Sequence, residues 1–129
     1  MTTYLVDAYA WVEYFQGNKK AEAFQKLLSY TSNQFFTVES NLAEIRMWAI
    51  RAKRDFDELY KIIQTNSSLS PVHLHDWLEA AAIREEMRKT RDHFGLIDSI
   101  LLVKQKELRS KIISGDPHFK DLPGVIFLK

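Results

Sequence analysis

Tyr4-Leu5-Val6-Asp7-Ala8-Tyr9-Ala10-Trp11-Val12-Glu13-Tyr14-Phe15 is the stretch that decides how the rest of the chain is read. Tyr4 to Val6 form a short apolar run of the kind buried on both faces, and Asp7 stands where it stops. Ala8, Trp11, Val12 and Phe15 then recur at i, i+3, i+4 and i+7, which is one face of a helix ending at Gly17. A strand therefore hands over to a helix at an aspartate, the opening of a βα unit.

The alternation continues outward. Ala21, Phe24, Leu27 and Leu28 mark a second amphipathic helix, and Phe35 to Val38 a second strand. Val38, Leu42, Ile45 and Trp48 or Ala49 keep helical spacing, which places Glu44 beside an apolar stripe. Phe56, Leu59, Tyr60 and Ile63 repeat the pattern until Asn66-Ser67-Ser68 breaks it. Leu69 to Val72 is expected as a third strand, at a sheet edge because Pro71 has no N–H to give. A longer helix is expected from His73 to about Lys89, with Leu74, Trp77, Leu78 and Ala81 inward. Gly95 precedes Leu96 to Val103, apolar nearly all round and so expected to be a buried helix. Lys111 to Ser114 is a fourth strand, Gly115-Asp116-Pro117 a turn, and Val125 to Leu128 a fifth strand.

Short strands alternating with helices predict an α/β fold in three layers, a mostly parallel five-stranded sheet with helices on both faces. In the order 3-2-1-4-5, strands 1 and 4 are neighbours at the switch point, where ligands bind beyond the carboxyl ends. Asp7 ends strand 1 and Asp116 follows strand 4, so this topology sets the two carboxylates side by side.

With 129 residues and neither a repeat nor a linker, the chain is expected to form one domain over residues 1–129. Hydrophobic residues at 46% against 27% charged describe a globular rather than a disordered chain. The absence of cysteine excludes disulfides, thiolate chemistry and zinc held by sulfur, leaving oxygen or imidazole for any metal. Neither a secretory leader nor a membrane-length apolar run is found, so a cytoplasmic protein without a membrane partner is expected. The net charge of +1 averages over whatever acids gather at a site.

Each acid has an ordinary explanation when taken singly. Asp7 is a good N-cap, Glu44 an ordinary solvated helix glutamate, and Asp116 sound turn chemistry. Asp98 is harder to dismiss. It lies inside an apolar run with no basic residue in the helical turn before it, and Lys104 is six positions on, off that face. Such a carboxylate is costly to desolvate unless it is paired or metal-bound. Taken together, carboxylates crowded into one crevice repel unless a cation compensates. An all-oxygen site suits Mg²⁺ or Mn²⁺, which keep several waters and favour phosphate-bearing substrates. Phosphodiester hydrolysis is the reaction expected of such a site.

Tyr4-Leu5-Val6-Asp7, Asn41-Leu42-Ala43-Glu44-Ile45, Gly95-Leu96-Ile97-Asp98-Ser99 and Ser114-Gly115-Asp116-Pro117-His118-Phe119 resemble, in order and spacing, the four motifs of PIN-domain ribonucleases. The short form resembles the toxin of a VapBC-type toxin-antitoxin pair. The resemblance implies a Mg²⁺- or Mn²⁺-dependent endoribonuclease, with Asp7, Glu44, Asp98 and Asp116 as metal ligands or general base. It implies that Ser114 orients water or a ligand, and that RNA is the substrate. It also implies a homodimer whose acidic groove is covered by an antitoxin. Two positions depart from the pattern: Ala8-Tyr9 replaces a hydroxyl residue after the first aspartate, and His118 stands where a further acid is frequent.

Arg46, Arg51, Lys53 and Arg54, and Arg84, Arg88, Lys89 and Arg91, are candidates to track an RNA backbone, against the plainer reading of solvated faces. Trp11, Trp48 and Trp77 fall on apolar stripes, which favours packing over base stacking. His73 and His75 lack the spacing of a zinc pair, and His118 is a phosphate contact or a plain turn residue. A phospho-aspartyl hydrolase needs a second aspartate where Tyr9 stands, and the acid and lysine positions of a receiver domain are missing. The remaining alternative is a PIN-like module that docks a partner without cleaving.

Overall fold

The computed structural model describes residues 1–129. Five strands, β1 (Thr3–Val6), β2 (Gln34–Val38), β3 (Ser68–Ser70), β4 (Lys111–Ser114) and β5 (Val125–Phe127), form one sheet in the order β3-β2-β1-β4-β5. Every pairing is parallel, so the expected order holds and no antiparallel edge is present. Six helices make the crossovers: α1 (Ala8–Phe15), α2 (Glu22–Leu28), α3 (Glu39–Arg51), α4 (Phe56–Asn66), α5 (Leu74–Met87) and α6 (Leu96–Leu108).

The alternation inside β1 shows why the sheet needs cover on both sides. Tyr4 and Val6 join Trp11, Phe24, Phe35 and Ile45 in one core, whereas Leu5 joins Val38, Phe94, Ile100, Leu101 and Ile112 in the other. Side chains of successive strand residues point to opposite faces, so both faces of the central strand are dry. No helix is long and apolar enough to cross a membrane.

Three expectations are corrected. The third strand is Ser68–Ser70 rather than Leu69 to Val72, because its register against Phe36, Thr37 and Val38 ends before Pro71. It does lie at the sheet edge. The fifth strand stops at Phe127, one residue early. The inward face of α5 is turned: Leu74 and Leu78 are 74% and 65% exposed, while Asp76 and Ala80 are buried and Trp77, Ile83 and Met87 pack on the core. The cause is an ion pair in the interior. Lys104 of α6 lies 2.9 Å from the Asp76 carboxylate, and both side chains are almost wholly buried.

Candidate active site

The carboxyl ends of β1 and β4 bring the first side chains together. Asp7 caps α1, accepting from the Ala8 N–H at 2.7 Å, while the Ser114 hydroxyl donates to its other oxygen at 2.6 Å. Ser114 therefore reaches across the strand pair, because Val6 and Ile113 are in register just before it. The Asp116 N–H donates in turn to Ser114 Oγ at 3.0 Å. Asp116 caps a short 3-10 helix, Pro117–Phe119, through the His118 N–H at 2.9 Å. Gly115 makes this turn possible, since a Cβ there would run into the ring of Tyr9.

The other two acids come from helices. Glu44 lies on α3, one turn after the buried Asn41, whose amide donates to Glu44 Oε1 at 2.7 Å and to Asp7 Oδ1 at 3.3 Å. The opposite amide orientation would set an oxygen against two carboxylates, which fixes the assignment. Asp98 sits in the first turn of α6 and accepts from the Gly95 N–H at 2.8 Å. Its side chain is 16% exposed, and the same oxygen lies 2.9 Å from His118 Nδ1.

Asp7, Glu44, Asp98 and Asp116 line a single cleft of about 250 Å³, with Tyr9, Glu13, Trp48 and Arg51 at its walls. Larger depressions beside Tyr14 and Phe127 each hold one acid, Glu22, among basic side chains. The repulsion expected of the acidic cleft is present. Burial raises the Asp7 carboxyl from 3.8 to about 7, against the hydrogen bond from Ser114, with Glu44 and Asp116 adding to the rise. Burial also raises Glu44, opposed by Asn41 and reinforced by the charges of Asp98 and Asp116. Asp98 is raised by burial and by Asp116, against the Gly95 N–H and His118.

All five residues singled out in the sequence thus meet at one mouth of the sheet. The sequence assigns no site role to Asn41, and for His118 it offers only a phosphate contact or a plain turn residue. Asn41 precedes Glu44 by one helical turn, which is a usable signal. For His118 the motif gives the position but not the pairing, because its partner Asp98 is on another helix. No basic residue of its own helix reaches Asp98, as the sequence suggests; its contact is the His118 imidazole, from across the cleft. Among the basic residues, Arg51 lines the cleft, whereas Arg88 and Arg91 brace the chain by donating to the carbonyls of Phe94 and His118. Trp11 is wholly buried, and Trp48 is half-buried under Arg54.

The PIN domain description matches residues 4–125, nearly the whole chain. The chain belongs to the PIN domain family. No curated sequence is similar enough to count as a relative. Solved structures share the PIN fold at low identity. VapC20 of Mycobacterium tuberculosis, described as a sarcin-ricin loop cleaving toxin, has a TM-score of 0.79 at 14% identity, covering 98% of this chain and 99% of that one. A toxin-antitoxin complex from Klebsiella pneumoniae has 0.74 at 18%, covering 97% of each chain. VapBC2 of Rickettsia felis, bound to a DNA fragment from its promoter, has 0.74 at 14%, covering 98% and 97%. The likeness runs from end to end of each chain, so the fold is shared over its whole length.

Proposed function

We propose that this PIN domain is a divalent-metal-dependent endoribonuclease and the toxin of a type II toxin-antitoxin pair. One observation carries the reading: four carboxylates from four different segments share one small cleft, and no lysine or arginine is ion-paired with any of them, the His118 imidazole being the basic group in contact. Such a donor set fits a hard cation, Mg²⁺ or Mn²⁺, with Asp7, Glu44, Asp98 and Asp116 as the residues that hold it. A bound cation of this kind polarises a phosphodiester and lowers the pKa of water beside it.

The protein's own groups do the rest. Ser114 and Asn41 keep both Asp7 oxygens and Glu44 aimed, so that little reorganisation accompanies the reaction. One of the four carboxylates would also take the proton of the attacking water as its oxygen bonds to phosphorus, while the P–O bond to the leaving oxygen breaks and that oxygen takes a proton from solvent. Arg51 at the cleft wall offers the scissile phosphate a counter-charge.

The antitoxin partner is inferred from the toxin-antitoxin complexes whose toxin fold this chain shares over its full length. An acidic cleft suits a partner segment carrying arginine or lysine. A homodimer agrees with the large apolar side chains left exposed on α3 and α5: Met47, Ile50, Leu74 and Leu78. Purified protein should cut RNA with Mg²⁺ or Mn²⁺ and stop with a chelator. Sequencing RNA ends from cells expressing it should show discrete sites that vanish with Asp7→Asn. No cleavage with either ion, or cleavage that survives both chelator and Asp7→Asn, refutes the reading.

A further inference from the structure

His118 occupies a position that the nuclease reading leaves unassigned. Its Nδ1 lies 2.9 Å from Asp98 Oδ2 and 3.5 Å from Asp116 Oδ1. The three potential donor atoms all fall within 4.8 Å of one another, close enough to converge on a single ion. The ring is held there rather than draped over the site. Pro117 opens the 3-10 turn, the His118 N–H is fixed by Asp116, and the His118 carbonyl accepts from the Arg91 guanidinium at 3.1 Å. Phe119, next in the chain, is wholly buried and anchors the turn from below. The Phe94 ring centroid lies 6.4 Å from the imidazole, tilted 51° to it.

An imidazole so placed has three possible relations to a cation at Asp98 and Asp116: it ligates through Nδ1, it stays hydrogen-bonded to Asp98 beside the ion, or it leaves. The convergence of all three donor atoms on one point favours the first. The anchored turn disfavours leaving. From this geometry we propose, resting on the nuclease reading above, that His118 Nδ1 is a ligand of the divalent ion held by Asp98 and Asp116. The ligand makes the site a mixed oxygen-nitrogen centre, tilted away from Mg²⁺ and toward first-row transition ions such as Mn²⁺. Mg²⁺ dehydrates reluctantly and binds oxygen almost exclusively, whereas imidazole suits the transition series. The Arg91 contact acts one step further out, as a positioning residue for the ring.

The test is Mn²⁺ binding to the whole purified chain, read by electron paramagnetic resonance and by competition with Mg²⁺. Wild type should show hyperfine coupling to a ligand nitrogen, and His118→Ala should lose it. His118→Asp, which restores an all-oxygen set, should reduce the Mn²⁺-over-Mg²⁺ preference on the order of tenfold, the scale on which even outer contacts tune a metal site. Circular dichroism on each variant separates loss of the ligand from loss of the fold. Mn²⁺ bound without nitrogen coupling, or an unchanged preference in both folded variants, overturns the His118 assignment alone. Binding of Mg²⁺ but not Mn²⁺ by wild type likewise overturns the His118 assignment alone, and failure to bind either ion overturns the metal-dependent reading together with it.

Discussion

In the metal-free protein the Asp7 carboxyl is buried, touches only neutral donors and faces two further acids, so it opposes folding once it ionises. Asp7→Asn removes the charge and can keep the contacts. The asparagine oxygen can accept from Ala8 and Asn41, and its amide can donate to Ser114 Oγ. Raising a carboxyl from 3.8 to about 7 costs about 4 kcal/mol of stability at neutral pH, at ~1.4 kcal/mol per pH unit. Rearranging the hydrogen bonds returns about 1 kcal/mol of that, leaving a net gain of about 3 kcal/mol for the variant.

The sign depends on pH. Because the folded pKa is raised, the stability associated with neutral Asp7 is complete below 3.8 and is lost as pH climbs through about 7. Asparagine has nothing to lose in that window. The variant's advantage should therefore be near zero or negative at about pH 4 and full by about pH 8. Urea unfolding of both proteins in chelator across this range measures it. An advantage that stays constant with pH, or a variant less stable at both ends, would refute the claim that uncompensated charge burdens this site.

Asp98→Asn should abolish cleavage while leaving the helix intact, checked by an RNA assay beside circular dichroism. Mn²⁺ or Mg²⁺ should raise the melting temperature more at alkaline than at acid pH, since protons compete for raised carboxyls; at 100 times Kd the gain is about 2.7 kcal/mol, and chelator should reverse it. Asn41→Leu should weaken divalent-ion affinity by roughly tenfold in calorimetry, because Asp7 and Glu44 lose the donor that aims them. Lys104→Met should destabilise the protein by about 3–5 kcal/mol at neutral pH, by leaving buried Asp76 with only the exposed His75 ring and the His73 N–H beside it, and adding Asp76→Asn, which keeps an acceptor for that N–H, should recover part of the loss.

The topology was legible because each βα unit announces itself locally. Tyr4 to Val6 is too short and too apolar to be anything but a central strand before the helical spacing of Ala8 to Phe15, and Lys111 to Ser114 reads the same way. Four site acids were legible for a related reason: Asp7 and Asp116 punctuate strand ends, Asp98 opens a helix, and Glu44 rides beside an apolar stripe. The misread parts depend on partners remote in sequence. Nothing near Asp76 tells that Lys104 will meet it in the interior, so Leu74 and Leu78 looked like the inward face. A three-residue strand such as Ser68–Ser70 has hardly any period, and its bounds come from pairing with β2. His118 is likewise defined only by the helix that packs against its turn.

Asp76 and Asp7 make the physical argument for the site together. Both are buried, at 1% and 5% exposure, and both are well hydrogen-bonded. Burial pushes Asp76 upward, yet the His73 N–H and the Lys104 ammonium outweigh it and hold the carboxyl below its usual range. Asp7 has three donors, in Ala8, Asn41 and Ser114, and still ends at about 7. The difference is not the number of hydrogen bonds but their charge: neutral donors orient a carboxylate without cancelling it, and Glu44 and Asp116 add to the field. The same fold that neutralises one interior acid with a lysine gives Asp7 only alignment. A cluster aimed in this way, with Arg51 at its wall but no lysine or arginine ion-paired to it, would be stabilised most by a cation from solution, and that coupling of fold stability to cation binding is what the proposed metal-dependent nuclease requires of its scaffold.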